Sequence, residues 1–218
     1  MQDTSTQQRI HITFGKFEAL KYTSNLDIAK IWERVLRRAK LPISYTKGFN
    51  TRPKIQLATA LPLGITSECE IIDVSLRESI SLEGVAEKLL AVSPGGLKIY
   101  NIEEAILTSS PLQNLVRSAE YRVSFMDDID RSELQHKIDD LLAQDRIIKT
   151  HVRKHKKHIS DLRPMIHDLT IDGHGHLIAH LATGGQGNVR LEHIMEELQI
   201  QDAFFKAHRY KLHIEPYR

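Results

Sequence analysis

Ser24 to Gly64 reads SNLDIAKIWERVLRRAKLPISYTKGFNTRPKIQLATALPLG, and this stretch decides the fold of the first half of the chain. Ser24 is placed to cap a helix, with Asp27 three residues on, near the positive end of the helix dipole. Ile28, Ile31, Trp32, Val35, Leu36 and Ala39 then recur at helical spacing and define one buried stripe. Lys30, Arg34, Arg37 and Arg38 fall on the opposite side. Pro42 stops the helix, Ser44 to Pro53 is loop punctuated by Gly48 and Pro53, and Ile55 to Leu61 reads as a strand.

Upstream, RIHITFG from Arg9 to Gly15 alternates Ile10, Ile12 and Phe14 against Arg9, His11 and Thr13, the pattern of a half-buried strand. Downstream, Glu70 to Leu76 alternates in the same way. Ser81 is expected to cap a helix with the stripe Leu82, Val85, Ala86, Leu89 and Leu90. Pro94-Gly95-Gly96 ends it, and Leu97 to Ile102 is a strand. The order is β-α-β-β-α-β, the split βαβ arrangement of a ferredoxin-like domain.

Thr108-Ser109-Ser110-Pro111 reads as a linker, after which the order returns. Glu120 to Phe125 is a strand, and Asp130 caps a helix with Glu133 as its capping-box partner. Arg146 to Arg153 is a basic strand, followed by an excursion around Lys156 to Arg163. Ile166 to Ile171 and Leu177 to Ala182 form a hairpin. Asn188 precedes a fourth helix with Leu191, Ile194, Met195 and Leu198, and a strand from Tyr210 to Ile214 closes the chain. The expectation is an α+β protein of two tandem ferredoxin-like domains, residues 9–106 and 118–216.

Composition is that of a globular chain with a real core: 218 residues, 41% hydrophobic and 27% charged. The polar MQDTSTQQ start lacks the pattern of a signal peptide. The longest run without Asp, Glu, Lys, Arg or His, Ile55 to Ser67, is too short to cross a bilayer and holds Pro62 and Gly64. A cytoplasmic location without membrane attachment is expected. One cysteine, Cys69, excludes an internal disulfide and a cysteine-ligated iron–sulfur cluster; it reads as a small core residue.

Net charge is +2, but the charges are segregated. Arg34 to Ser67 holds seven Lys or Arg, and Arg146 to His158 another six, with no acid in either stretch. The rest of the chain carries 17 basic against 28 acidic residues. That is the pattern of a polyanion-binding face on an acidic body. Phosphate contacts call for Lys and Arg, and a single-stranded base needs a flat surface to stack upon. The expected RNA-binding set is therefore Arg34, Arg37, Arg38, Lys47, Phe49, Asn50, Arg52 and Lys54, extended by Lys149, Arg153 and Lys156.

No complete catalytic constellation is present. Asp27 is the one carboxylate whose setting invites a catalytic role, although stabilising the first helical turn accounts for it. His151, His155 and His158 lie among cations that disfavour a divalent ion. His176 and His180 are four strand positions apart, too far for joint ligation, and read as exposed hairpin histidines. No metal is expected. Thr183-Gly184-Gly185-Gln186-Gly187-Asn188 runs into a helix start but lacks the Lys-Ser/Thr of a phosphate-binding loop.

Y-T-S-N-L-D at Tyr22 to Asp27, W-E-R-V-L-R-R-A-K-L-P, Y-T-K-G-F-N-T-R-P-K and P-L-G together resemble a bacterial family, the radical-SAM-linked proteins. E-Y-R-V at Glu120 to Val123 and L-R-P at Leu162 to Pro164 also fit. The chain departs from that pattern at Asn25 (usually His), Lys40 (Gly), Lys47 (Gln) and Thr51 (Pro). The resemblance implies a radical-SAM protein as partner, whose cluster this chain lacks the cysteines to hold; no cofactor of its own is expected. Combined with the basic face, it leads to the expectation of a non-catalytic RNA-binding accessory, tRNA or rRNA being the substrate presented to the partner. An RNA-processing or RNA-modifying enzyme, and a protein–protein adaptor, are the alternatives.

Overall fold

Alternation in the first strand does what the pattern demands of its apolar side: Ile10, Ile12 and Phe14 of β1 (Gln8–Lys16) are essentially inaccessible to water. A computed structural model describes residues 6–153, 156–185 and 187–215; the side chains of residues 151–153 and 156–158 lie outside that description. The chain forms two units, one built on residues 6–116 with 214–215, the other on residues 117–213.

In the first unit, β1 is followed by a 3-10 turn at Glu18–Tyr22 and by α1 (Asn25–Arg38), then β2 (Ile55–Leu57), β3 (Thr66–Leu76), α2 (Val85–Leu90) and β4 (Leu97–Ala105). The strands lie in the order β4-β1-β3-β2, every neighbouring pair antiparallel. Register sets Ile10 opposite Val74 and Ile12 opposite Ile72, so both strands send their apolar residues to one face. On that face Phe14 meets Trp32 of α1 edge-on, with ring centroids 5.0 Å apart. Ile28, Val35 and Leu36 complete the buried stripe.

The other side of β1 is not the wet face that alternation predicts. Arg9 and His11 are buried, and the Arg9 guanidinium donates from Nε to Asp73 Oδ1 at 2.9 Å while its Nη2 pairs with Oδ2. Its Nη1 donates to the Ser109 carbonyl at 2.9 Å and to Ser109 Oγ at 2.7 Å. Residues 106–111 are thus pinned by a buried cation and are no free linker. Burial also lowers the His11 pKa below its ordinary 6.5.

Three further expectations shift. Ser81 does not cap α2: its Oγ accepts from Glu83 N at 3.3 Å, and the helix starts after Gly84, whose φ of 70° breaks any earlier turn. β2 is three residues long and leaves the sheet after Leu57. Cys69, on β3, is half-buried rather than core, with its sulfur 3.6 Å from Ser67 Oγ.

The second unit runs β5 (Val116–Phe125), α3 (Arg131–Leu142), β6 (Ile148–Arg153), β7 (Lys156–Asp161), β8 (Ile166–Ile171), β9 (Leu177–Ala182), α4 (Leu191–Glu197) and β10 (Phe205–Ile214). Its main sheet is ordered β10-β5-β9-β8, with β5–β9 and β8–β9 antiparallel. The basic strand β6 does not join that sheet. It pairs with β7 as a separate hairpin, so the expected excursion and the expected strand are one element. Asp161 Oδ1 closes the hairpin base by accepting from Ile147 N and Arg163 N at 2.9 and 3.0 Å. The Asp130 cap forms as expected, accepting from Ser132 N and Glu133 N. Glu133 itself turns to Lys137 at 2.7 Å instead of reaching back. The glycine-rich turn is a packed connection: a Cβ at Gly187, whose φ is 145°, would meet Met165 Sδ at 2.3 Å. Among the described residues no helix is long and apolar enough to cross a membrane.

Trp32 fills the centre of the first core. Trp32→Ala is expected to lower the unfolding free energy by about 3–5 kcal/mol, read as a shift in urea midpoint without a change in slope.

Candidate nucleic-acid interface

Seating Trp32 against Phe14 fixes which side of α1 faces water. At roughly 100° per residue, Arg34, Arg37 and Arg38 stand about 140–240° round the helix from Trp32, and all three are exposed. Arg37 reaches Glu33 at 3.7 Å with its side chain 64% exposed, a contact that solvent screens to little. Arg34 and Arg38 make no ion pair among the described residues. They line a groove of about 210 Å³ whose far wall is Val92, Ser93 and Pro94, just beyond α2.

The loop after α1 is held at its base and free at its tip. Thr46 N donates to the Arg52 carbonyl at 2.8 Å, Arg52 N donates back to Thr46 Oγ1 at 2.9 Å, and Tyr45 bridges Pro53. Between these points residues 47–51 are exposed. Gly48 turns the tip with φ of 119°, a conformation that other residues rarely adopt. Phe49 shows the whole of its surface to solvent, 109% of the reference value, which rules out a core-capping role. Lys47, Asn50 and Arg52 surround it, exposed, and the two cations make no ion pair among the described residues. Lys54 is more restrained: its Nζ donates to Thr6 Oγ1 at 3.3 Å, and it lines a cleft of about 410 Å³ with Arg9, Asp73 and Ser109.

The second basic cluster is only partly available. Lys149 Nζ binds Glu196 and, at 3.4 Å, Glu197, so two carboxylates of α4 already neutralise it, and its pKa is raised chiefly by the Glu196 hydrogen bond. Lys149 is thus an ion-paired cation, unlike Arg34 and Arg38. Arg153 and Lys156 pair in register at the end of the β6–β7 hairpin. Their side chains, those of His151, Lys157 and His158, and all of Lys154, His155 and Gln186 lie outside the described residues.

Asp27 sits where a capping residue belongs. Its N donates to Ser24 Oγ at 3.1 Å and Ser24 Oγ donates to its Oδ2 at 2.6 Å, a reciprocal pair that lowers the Asp27 pKa.

One polar cluster escaped a residue-by-residue reading because its members come from three strands of the second unit. Glu120 on β5 accepts at Oε2 from Tyr210 OH (2.6 Å). At Oε1 it takes His213 Nε2 (2.7 Å) and Lys211 Nζ (3.1 Å). His180 on β9 stacks on His213 with centroids 4.6 Å apart, and its Nε2 meets Ser118 Oγ at 2.8 Å. The donor set, Tyr210 first, holds the Glu120 carboxyl down to about 2. Burial and the Glu120 carboxylate push Tyr210 up to about 12. His180, expected to be an exposed hairpin histidine, is half-buried, and desolvation followed by the neighbouring His213 and His167 lowers its pKa.

Residues 9–191 match a family described as "Uncharacterized protein conserved in bacteria (DUF2344)", and the chain belongs to that family. That description carries no mention of radical-SAM proteins. No curated protein matches the chain. Among solved structures it is similar to a chain in the "Crystal Structure of a Cbf5-Nop10-Gar1 Complex", at 12% identity and a TM-score of 0.45. The match covers 93% of this chain and 48% of that one, so the chain spans about half the length of that solved protein.

Because the folded pKa of Glu120 lies below its ordinary 4.5, its contribution to stability is present above that value and is lost as pH falls toward about 2. Urea midpoints measured from pH 6 down to pH 2 are expected to fall less steeply for Glu120→Gln than for the unaltered chain.

Proposed function

We propose that this member of the family is a non-catalytic RNA-binding accessory that presents tRNA or rRNA to a radical-SAM modification enzyme. The observation that carries the RNA reading is Phe49, wholly exposed at the tip of a pinned loop and framed by Lys47, Asn50 and Arg52. An aromatic ring in water at the tip of a loop held at its base gains nothing for the fold and is well placed to stack on an unpaired base. Arg34, Arg37 and Arg38 on the adjacent helix supply phosphate contacts along one side of the same unit. We read each unit as a ferredoxin-like domain, supported by the orders β4-β1-β3-β2 and β10-β5-β9-β8, with the β6–β7 hairpin inserted in the second. The radical-SAM partner rests on the motif resemblance alone.

A second reading, protein adaptor, is favoured by three exposed apolar side chains, Tyr22, Leu26 and Leu63, at 67, 74 and 61% exposure. The Gly64 N–H donates to the Lys21 carbonyl, joining the segment that carries Leu63 to the one that carries Tyr22. Such a patch suits a protein partner better than a polyanion. The two readings are compatible, since the apolar patch and the cationic loop use different residues.

Fluorescence anisotropy with a single-stranded RNA separates them. The logarithm of the affinity should fall linearly with the logarithm of salt concentration, and the triple change Arg34→Ala, Arg37→Ala, Arg38→Ala should flatten that slope by about two units. Phe49→Ala should cost about 1–3 kcal/mol with the slope unchanged. A salt-independent affinity would remove the RNA reading. Leu26→Glu should leave RNA affinity intact while abolishing co-purification of a protein partner that survives nuclease treatment.

A further inference from the structure

We infer that Glu120, His180 and His213 bind one divalent transition ion, Zn²⁺ being the best match to the donor set. This goes beyond the RNA reading and uses none of its residues. Glu120 and His180 are directly opposed across the β5–β9 pair, and β10, which carries His213, flanks β5 on its other side. Neighbouring strands run about 4.8 Å apart, so a row of three side chains across them converges where two residues four apart on one strand would not. The ligand atoms of these three residues lie within 4.8 Å of one another. Around a tetrahedral ion with bonds of about 2.0–2.1 Å the ligand atoms stand roughly 3.4 Å apart, and the remaining closure needs only side-chain rotation.

The chemistry of the row favours an ion over a simple hydrogen-bonded network. Two imidazoles with one carboxylate form a set that suits Zn²⁺ or Fe²⁺ and poorly suits Mg²⁺ or Ca²⁺, which take all-oxygen shells. The outer partners are in place as well. Ser118 Oγ orients the His180 ring, and Tyr210 OH fixes the carboxylate by Oε2, so that the ion takes Oε1 in place of the 2.7 Å hydrogen bond from His213 Nε2. The competitor is Lys211, whose ammonium sits 3.1 Å from Oε1; its side chain is 55% exposed and can swing into water when the ion arrives. With three protein ligands, at least one coordination position stays open, and the partial exposure of His213 at 33% gives solvent or a phosphate oxygen access to it.

Titration of the full chain with Zn²⁺ alone, by calorimetry and by the visible absorption of Co²⁺ as a substitute, tests this. One saturable site is expected, with a rise in melting temperature on Zn²⁺ addition. Affinity should drop by at least about tenfold in Glu120→Gln and in His213→Ala. Lys211→Ala, which removes the competing cation, should bind roughly two- to fivefold tighter, the worth of a half-exposed ion pair. No saturable site, or a site whose affinity survives both Glu120→Gln and His213→Ala, overturns the assignment. Should His213→Ala fail to fold, Lys211→Ala decides alone: tighter binding supports the site, and unchanged or weaker binding overturns it.

Discussion

The first unit turns on the contact between Trp32 and Phe14. One ring comes from the helix and the other from the central strand, and their edge-to-face packing sets both the height of α1 over the sheet and its rotation about its own axis. The Trp32 Nε1–H has no acceptor among the described residues, so the indole contributes to this core through its volume. Rotation decides which side chains of α1 reach water. Turned by a third of a revolution, the same helix would bury an arginine and expose an apolar side chain. With Trp32 inward, the three arginines have nowhere to go but water.

Two kinds of cation result from the fold, and exposure with pairing tells them apart. Arg9 and Lys149 are structural. Arg9 is buried against Asp73 and pins the segment at Ser109, and Lys149 ties β6 to the acids of α4. Stripping Arg9 of Asp73 would leave an uncompensated charge in a poorly hydrated place. The charged groups of Arg34, Arg38, Lys47 and Arg52 make no ion pair in the described structure. Surface charge that stabilises nothing keeps a solvation shell and can exchange it for phosphate at little cost, which is the condition a polyanion-binding face must meet.

Much of this was legible before any coordinates. The buried stripe of α1 and the opposite placement of its arginines follow from helical period, and the α+β order of elements follows from alternation and turn residues. What failed did so for identifiable reasons. Period-two alternation cannot tell that the polar face of β1 will itself be covered, because nothing local announces that Arg9 will find Asp73 sixty-four residues away. Gly84 in a left-handed conformation cut short a helix whose apolar spacing alone began at Ser81. At the base of the β6–β7 hairpin Asp161 gathers the N–H groups of Ile147 and Arg163, a contact without sequence periodicity.

The Glu120 row lay beyond sequence reading for a deeper reason. Helical motifs place chemistry at spacings of three or four, so a pattern search finds them. A row across a sheet joins residues whose separation is set by connection lengths: Glu120 and His180 are sixty residues apart and Glu120 and His213 ninety-three, and neither number means anything locally. Judged along one strand, His180 had no partner within reach and so was dismissed as a ligand. The sheet supplies partners sideways, at the inter-strand spacing, and antiparallel register aims side chains from adjacent strands at the same face. Strand order is thus the variable that creates this cluster. In an order that separated β10 from β5, Glu120 would lose Tyr210, Lys211 and His213, the three side chains that hold its carboxyl down. The depressed Glu120 pKa is therefore a consequence of topology, and any chemistry at that carboxylate is encoded by how the strands are dealt, not by any motif they carry.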